Sequence, residues 1–209
     1  ALTSPLRARV EDSGAQVRSV PEGALAKALD LRSPQAMVGV AVTPTTEPSE
    51  LLANARAGGG PLLVAVRVAD PGNLGTLVRE AEASGCAGVI TTEGTVELHA
   101  PKVVRASAGS IFRVPCCGDV ELGSVLDSLA EAGVAVAATV VRGGDAPEDV
   151  DLRGAFALLV GSEAHGLAPE LSEISRHRIA VPLSASGESR NAARAAAAPR
   201  LGASPQPLP

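Results

Sequence analysis

Asn73 and Arg79 stand six residues apart in Asp70-Pro71-Gly72-Asn73-Leu74-Gly75-Thr76-Leu77-Val78-Arg79, where an apolar strand gives way to a helix. A guanidinium stays charged in proteins, so this pair would set a fixed positive charge and a hydrogen-bonding amide facing one cleft. In an open parallel sheet the ligand crevice lies beyond the carboxyl ends of the strands, which is where this segment falls. The same residues also read as an Asn helix cap and a solvated helix Arg. Two further segments follow in order. Gly161-Ser162-Glu163-Ala164-His165-Gly166-Leu167 succeeds the apolar strand 156–160, and Val181-Pro182-Leu183 precedes Glu188-Ser189-Arg190-Asn191 at the start of a helix. A glycine turn with a capping Glu163, and a loop capped by Ser186 or Ser189, are their ordinary structural readings.

Other chemistries lack their residues. Neither G-x-G-x-x-G nor a G-K-[ST] ending occurs at a strand–helix junction, so phosphate cradling is not supported. His99, His165 and His177 have no metal-ligand spacing with one another or with the three cysteines, and no metal is expected. Ser189, His165 and Asp70 lack the G-x-S-x-G elbow of a hydrolase. The cluster Arg142, Asp145, Glu148, Asp149, Asp151 and Arg153 reads as a solvated loop.

The elements that must position these residues alternate from Pro61 onward. Strands are predicted over 62–68, 87–91, 111–115, 134–141, 155–160 and 178–181, with helices over 73–84, 101–108, 122–132 and 169–175 and from Glu188. Short apolar strands separated by helices imply a parallel sheet covered on both faces. Ahead of it, 16–20 alternates, 21–31 has helical spacing and 37–42 is a short apolar strand. Residues 43–60, with Pro44, Pro48 and Gly58-Gly59-Gly60, carry a linker's punctuation around a short helix at 49–57. After Ala198, Pro199 stops the last helix and 199–209 has the composition of a disordered tail.

The ordered trio, together with Lys102-Val103-Val104-Arg105-Ala106-Ser107-Ala108-Gly109-Ser110-Ile111-Phe112-Arg113-Val114-Pro115, resembles the SpoU/TrmH branch of the SPOUT RNA methyltransferases from Pro61 to Asn191. The resemblance implies a parallel α/β domain over 61–198 whose C-terminal segment threads a loop as a trefoil knot, an exception to the usual rules of topology. It implies S-adenosylmethionine held near Thr139, Gly161, Val181, Leu183 and Arg190, with Glu163, Ser189 and Asn191 organising the pocket. Asn73 and Arg79 then match the motif that activates a ribose 2'-hydroxyl, in a site completed across a homodimer. The implied substrate is RNA, ribosomal RNA before transfer RNA. Residues 1–42 match the later part of an L30e-like α/β RNA-binding domain, so the chain is expected to begin inside it. One departure is Arg190, where the family has Leu. A non-catalytic knotted RNA-binding or assembly protein is the alternative that this departure and the final helix stopped at Pro199 raise.

Composition fits this frame. A chain of 209 residues that is 45% hydrophobic can bury one sizeable core beside a smaller module. A net charge of -5 excludes a uniformly basic surface, so any RNA site is local. Phe112 and Phe156 are the only aromatic residues, too few for a base-stacking platform. No apolar run is long enough to span a bilayer, and the expectation is a cytoplasmic protein with reduced thiols.

Overall fold

The computed structural model describes residues 4–21, 23–29, 37–44, 46–162 and 165–180, and divides the chain into the units Ala1–Thr43 and Pro44–Pro209. Among its described residues the first unit holds two short helices, α1 (Ser4–Asp12) and α2 (Ala24–Leu29). The strands predicted at 16–20 and 37–42 do not form there. Val40 and Val42 are 99% and 95% exposed. Strand backbone needs a neighbour to take its hydrogen bonds, and the described residues of this unit supply none. The sheet expected of an α/β module is therefore absent among them.

The second unit contains α3 (Pro48–Arg56), β1 (Leu62–Ala65), α4 (Pro71–Ala83), β2 (Gly88–Thr92), α5 (Pro101–Ala106), β3 (Cys116–Val120), α6 (Leu122–Glu131), β4 (Ala135–Val140), β5 (Phe156–Val160), α7 (Pro169–Ile174) and β6 (His177–Ala180). The six strands form one sheet in the order β3-β2-β1-β5-β4-β6, with every pairing parallel. The parallel sheet read from the sequence is thus observed. Its central strands, β1, β2 and β5, are buried at every position, as a sheet covered on both faces requires.

Alternation along β1 separates two cores. Leu63 and Ala65 pack with Leu74, Leu77, Val78 and Ala81 of α4 and Val103 of α5. Leu62, Val64 and Val66 pack with Leu51 of α3, Val125 and Leu129 of α6 and Leu171 of α7. Each fully buried leucine here contributes about 1.5–3 kcal/mol of transfer free energy. Leu51, Leu52 and Ala55 are buried, so the packed unit begins ahead of Pro61, inside the stretch with a linker's punctuation.

One predicted strand is misplaced. Ser110–Phe112 is a 3₁₀ turn, and the strand expected at 111–115 starts instead at Cys116. Ile111 and Val114 are buried while Phe112 is 61% exposed, a spacing of three that belongs to a helical turn. Gly109, at φ 89°, starts this turn in a left-handed conformation that favours glycine.

Candidate active site

Parallel strands bring all their carboxyl ends to one rim, and β1 neighbours β5 at the point where the strand order reverses. Val66 N–H donates to Val160 O at 2.8 Å there, closing the sheet between the two loops that follow. The loop into α4 and the loop 161–167 therefore leave the sheet side by side.

The Asp70 carboxylate caps α4, accepting from Asn73 N–H at 2.9 Å, and Pro71 occupies the first turn. The cap is thus Asp70, while Asn73 lies inside the first turn; the Asp-Pro dipeptide carried that signal. The Asn73 N–H holds the Asp70 carboxyl below its usual range, and Lys102, whose Nζ lies 3.5 Å from Oδ2, acts in the same direction. Gly75 lets α5 approach α4, because a Cβ there would lie 2.5 Å from Ala106 Cβ.

Asn73 and Arg79 do not sit side by side. Six helical residues separate them by about 9 Å along α4 and about 120° around it. The buried stripe is Leu74, Gly75, Leu77, Val78 and Ala81, so both lie on the arc that faces away from the sheet. The Arg79 side chain is 48% exposed, with Nη2 3.5 Å from Glu80 Oε1. A substrate or a second chain lying over this arc can meet both groups at once.

Gly161 opens a loop that folds tightly back on itself. A Cβ on Gly161 would lie 2.2 Å from the Gly166 carbonyl carbon, and Gly166 N–H donates to Ser162 O at 2.8 Å. Ser162 Oγ accepts from His165 N–H at 3.2 Å. Ser162 is a residue the sequence reading left without a role, although its place between Gly161 and Gly166 marked a turn. Thr139 lies near the end of β4, and its hydroxyl donates to Leu159 O at 3.0 Å. Its side chain serves the sheet, which leaves backbone as its means of touching a ligand.

On the far side, β6 has two neighbours. One edge pairs with β4, Thr139 opposite Ile179 and Val140 opposite Ala180. Along the other, Asp145 N–H donates to Arg178 O and Ala180 N–H donates to Asp145 O, both at 2.8 Å. Asp145 belongs to the connection between β4 and β5, so β6 runs between β4 and the chain that leaves it. Glu163, Val181, Leu183, Ser189, Arg190 and Asn191 lie outside the described residues, as do the segments where the sequence predicts a helix from Glu188, the threading of a knot and a tail at 199–209.

Cys116 is buried, and that burial pushes its thiol up to about 12, which leaves it an inert core group. Among the described residues no group of His, Cys, Asp and Glu is arranged to hold a metal, and no helix is long and apolar enough to cross a membrane.

Residues 60–198 match the SpoU rRNA Methylase family. The chain belongs to that family. Over 186 residues it is 34% identical to the 23S rRNA (guanosine(2553)-2'-O)-methyltransferase RlmP of Bacillus subtilis, covering 89% of this chain and 71% of that protein. It is 32% identical over 137 residues to the 23S rRNA (uridine(2479)-2'-O)-methyltransferase of Streptomyces viridochromogenes, covering 63% of this chain but 48% of that one. Among solved structures, an AdoMet-bound rRNA methyltransferase from Sinorhizobium meliloti aligns at a TM-score of 0.80 and 26% identity, over 94% of this chain and 76% of its own. The chain thus spans most of some relatives and about half of others.

Proposed function

We propose that the protein is an S-adenosylmethionine-dependent RNA ribose 2'-O-methyltransferase acting on ribosomal RNA, with transfer RNA as the second substrate class. Family membership and the placement of the Asn73 helix and the Gly161 loop on one sheet rim carry this reading. The rim fits an adenosine cofactor through backbone groups, since Gly161 and Thr139 offer main chain there and a phosphate loop is lacking. When bound, S-adenosylmethionine supplies an electrophilic methyl group.

The residues of this chain must present and activate a ribose oxygen. A hydroxyl is a poor nucleophile near neutral pH, so its developing negative charge needs a fixed partner. Arg79 serves as that partner rather than as a proton acceptor, because a guanidinium keeps its charge, and the hydroxyl proton passes to solvent water. Asn73 orients the RNA by hydrogen bonds. Thr139, Gly161, Val181, Leu183 and Arg190 hold the cofactor, while Glu163, Ser189 and Asn191 organise the pocket. Holding the reacting atoms at near-attack distance supplies much of the remaining acceleration.

The separation of Asn73 from Arg79 around α4 supports a homodimer in which a second copy covers the exposed arc and completes the site. A trefoil knot over 61–198 is supported by β6 running between β4 and Asp145. Residues 1–42 serve as an RNA-binding module ahead of the methylase segment, a reading supported by likeness to the Sinorhizobium protein over 94% of the chain. The protein works in the cytoplasm, where its RNA is. Incubating the purified chain with ribosomal RNA and labelled cofactor tests the proposal: methylated ribose is expected, and the absence of transfer to any cellular RNA refutes it.

A further inference from the structure

Three described residues other than glycine adopt a left-handed backbone, and two have local reasons. Ala108, at φ 51°, follows the C-cap of α5, and Asp119, at φ 58°, sits where the β2–β3 register shifts. Arg67, at φ 54°, has neither reason. A long side chain is disfavoured in this conformation, and such strain persists only where surroundings enforce it.

The surroundings of Arg67 do enforce it. Its N–H donates to Thr92 Oγ1 at 3.3 Å, Thr95 Oγ1 donates to Ala65 O at 3.2 Å, and Val96 N–H donates to Val68 O at 2.9 Å. The loop after β1 is thereby tied to the loop after β2, while the Arg67 side chain stays exposed on the rim three residues before Asp70. Arg113 and Arg153 are clamped by Glu82 and Asp151, whereas Arg67 makes no ion pair among the described residues. In a chain of net charge -5, a cation held on the rim beside the start of α4 is a local attractor for a polyanion.

We propose that Arg67 binds a backbone phosphate of the RNA and so anchors the strand whose ribose Arg79 activates; this rests on the methyltransferase reading above. The anchor supplies affinity and register, and takes no part in the chemical step.

Equilibrium binding of transcribed 23S rRNA to the full chain, measured across salt concentrations, tests it. Arg67→Gly relieves the strained backbone and keeps the fold, which its melting temperature checks. It is expected to weaken binding about tenfold and to lower the salt slope by about 0.7–0.9, the loss of one phosphate contact. Arg67→Lys should recover the slope, and Arg56→Ala, removing a charge from α3 on the opposite face, should leave it unchanged. An unaltered slope in Arg67→Gly, or wild-type protein that fails to bind RNA, overturns the proposal. Wild-type protein that binds without methylating, with the slope still lowered in Arg67→Gly, sinks the catalytic reading alone.

Discussion

Asp145 pairs with Ile179 along the edge of β6 that β4 leaves open, through two backbone hydrogen bonds of 2.8 Å. The connection leaving β4 thus returns along its neighbour, and β6 is held between the two. Gly144 makes the passage possible: a Cβ there would lie 2.6 Å from Val140 Cγ2, 2.7 Å from Ala180 N and 2.8 Å from Arg178 O.

Gly144→Ala should therefore destabilise the protein by about 1–3 kcal/mol, the usual cost of overpacking against atoms that cannot withdraw. Urea denaturation measures it. An unchanged midpoint would show that the connection can move away from β6.

Gly161→Ala drives its added carbon into the Gly166–Leu167 peptide, with the Gly166 carbonyl and Leu167 N within 2.4 Å of it. The turn must open, and cofactor affinity should fall at least about tenfold, or 1.4 kcal/mol. Calorimetric titration with S-adenosylmethionine reads the loss. Wild-type affinity in the variant would remove this loop from the cofactor site.

The Glu82 carboxylate pairs with Arg113, tying the end of α4 to the turn before β3, and the guanidinium hydrogen bond lowers its pKa from 4.5 to about 2. A depressed carboxyl stabilises the fold fully above its unfolded pKa and loses that contribution as pH falls through its folded one. Glu82→Gln should accordingly lower the melting temperature at pH 7 by at most a few degrees, since the pair is exposed and screened. The gap should close between about pH 4.5 and about pH 2. Thermal melts across that range would contradict the account if the gap stayed constant.

Much of this architecture was legible in the sequence. Runs such as Leu62-Leu63-Val64-Ala65 and Phe156-Ala157-Leu158-Leu159-Val160 are apolar on both faces, which only a doubly covered parallel strand tolerates. The strand at 111–115 failed because Ile111 and Val114 are three apart, the spacing of a helical turn, and the left-handed Gly109 starts that turn. At 37–42 an apolar run is insufficient without a neighbouring strand. The rim was legible from the Asp70-Pro71 cap and the Gly161 turn. The separation of Asn73 from Arg79 around α4 follows from helical geometry, and the pairing of Asp145 with Ile179 is long-range, so no local pattern announces it.

Arg79→Ala tests the role of the guanidinium apart from binding. Turnover should fall by about 10²–10³, as when one preorganised oxyanion partner is removed, while cofactor affinity stays within about twofold. Loss of cofactor affinity with turnover per bound complex preserved would refute the assignment.

The central claim is that a ribose oxygen is methylated at the rim where β1 and β5 end. Its most direct test is transfer of labelled methyl from S-adenosylmethionine to ribosomal RNA by the purified chain, followed by alkaline hydrolysis. The account predicts label in an alkali-resistant dinucleotide, dependent on Arg79. Label on a base, or no incorporation while the cofactor binds, would contradict it.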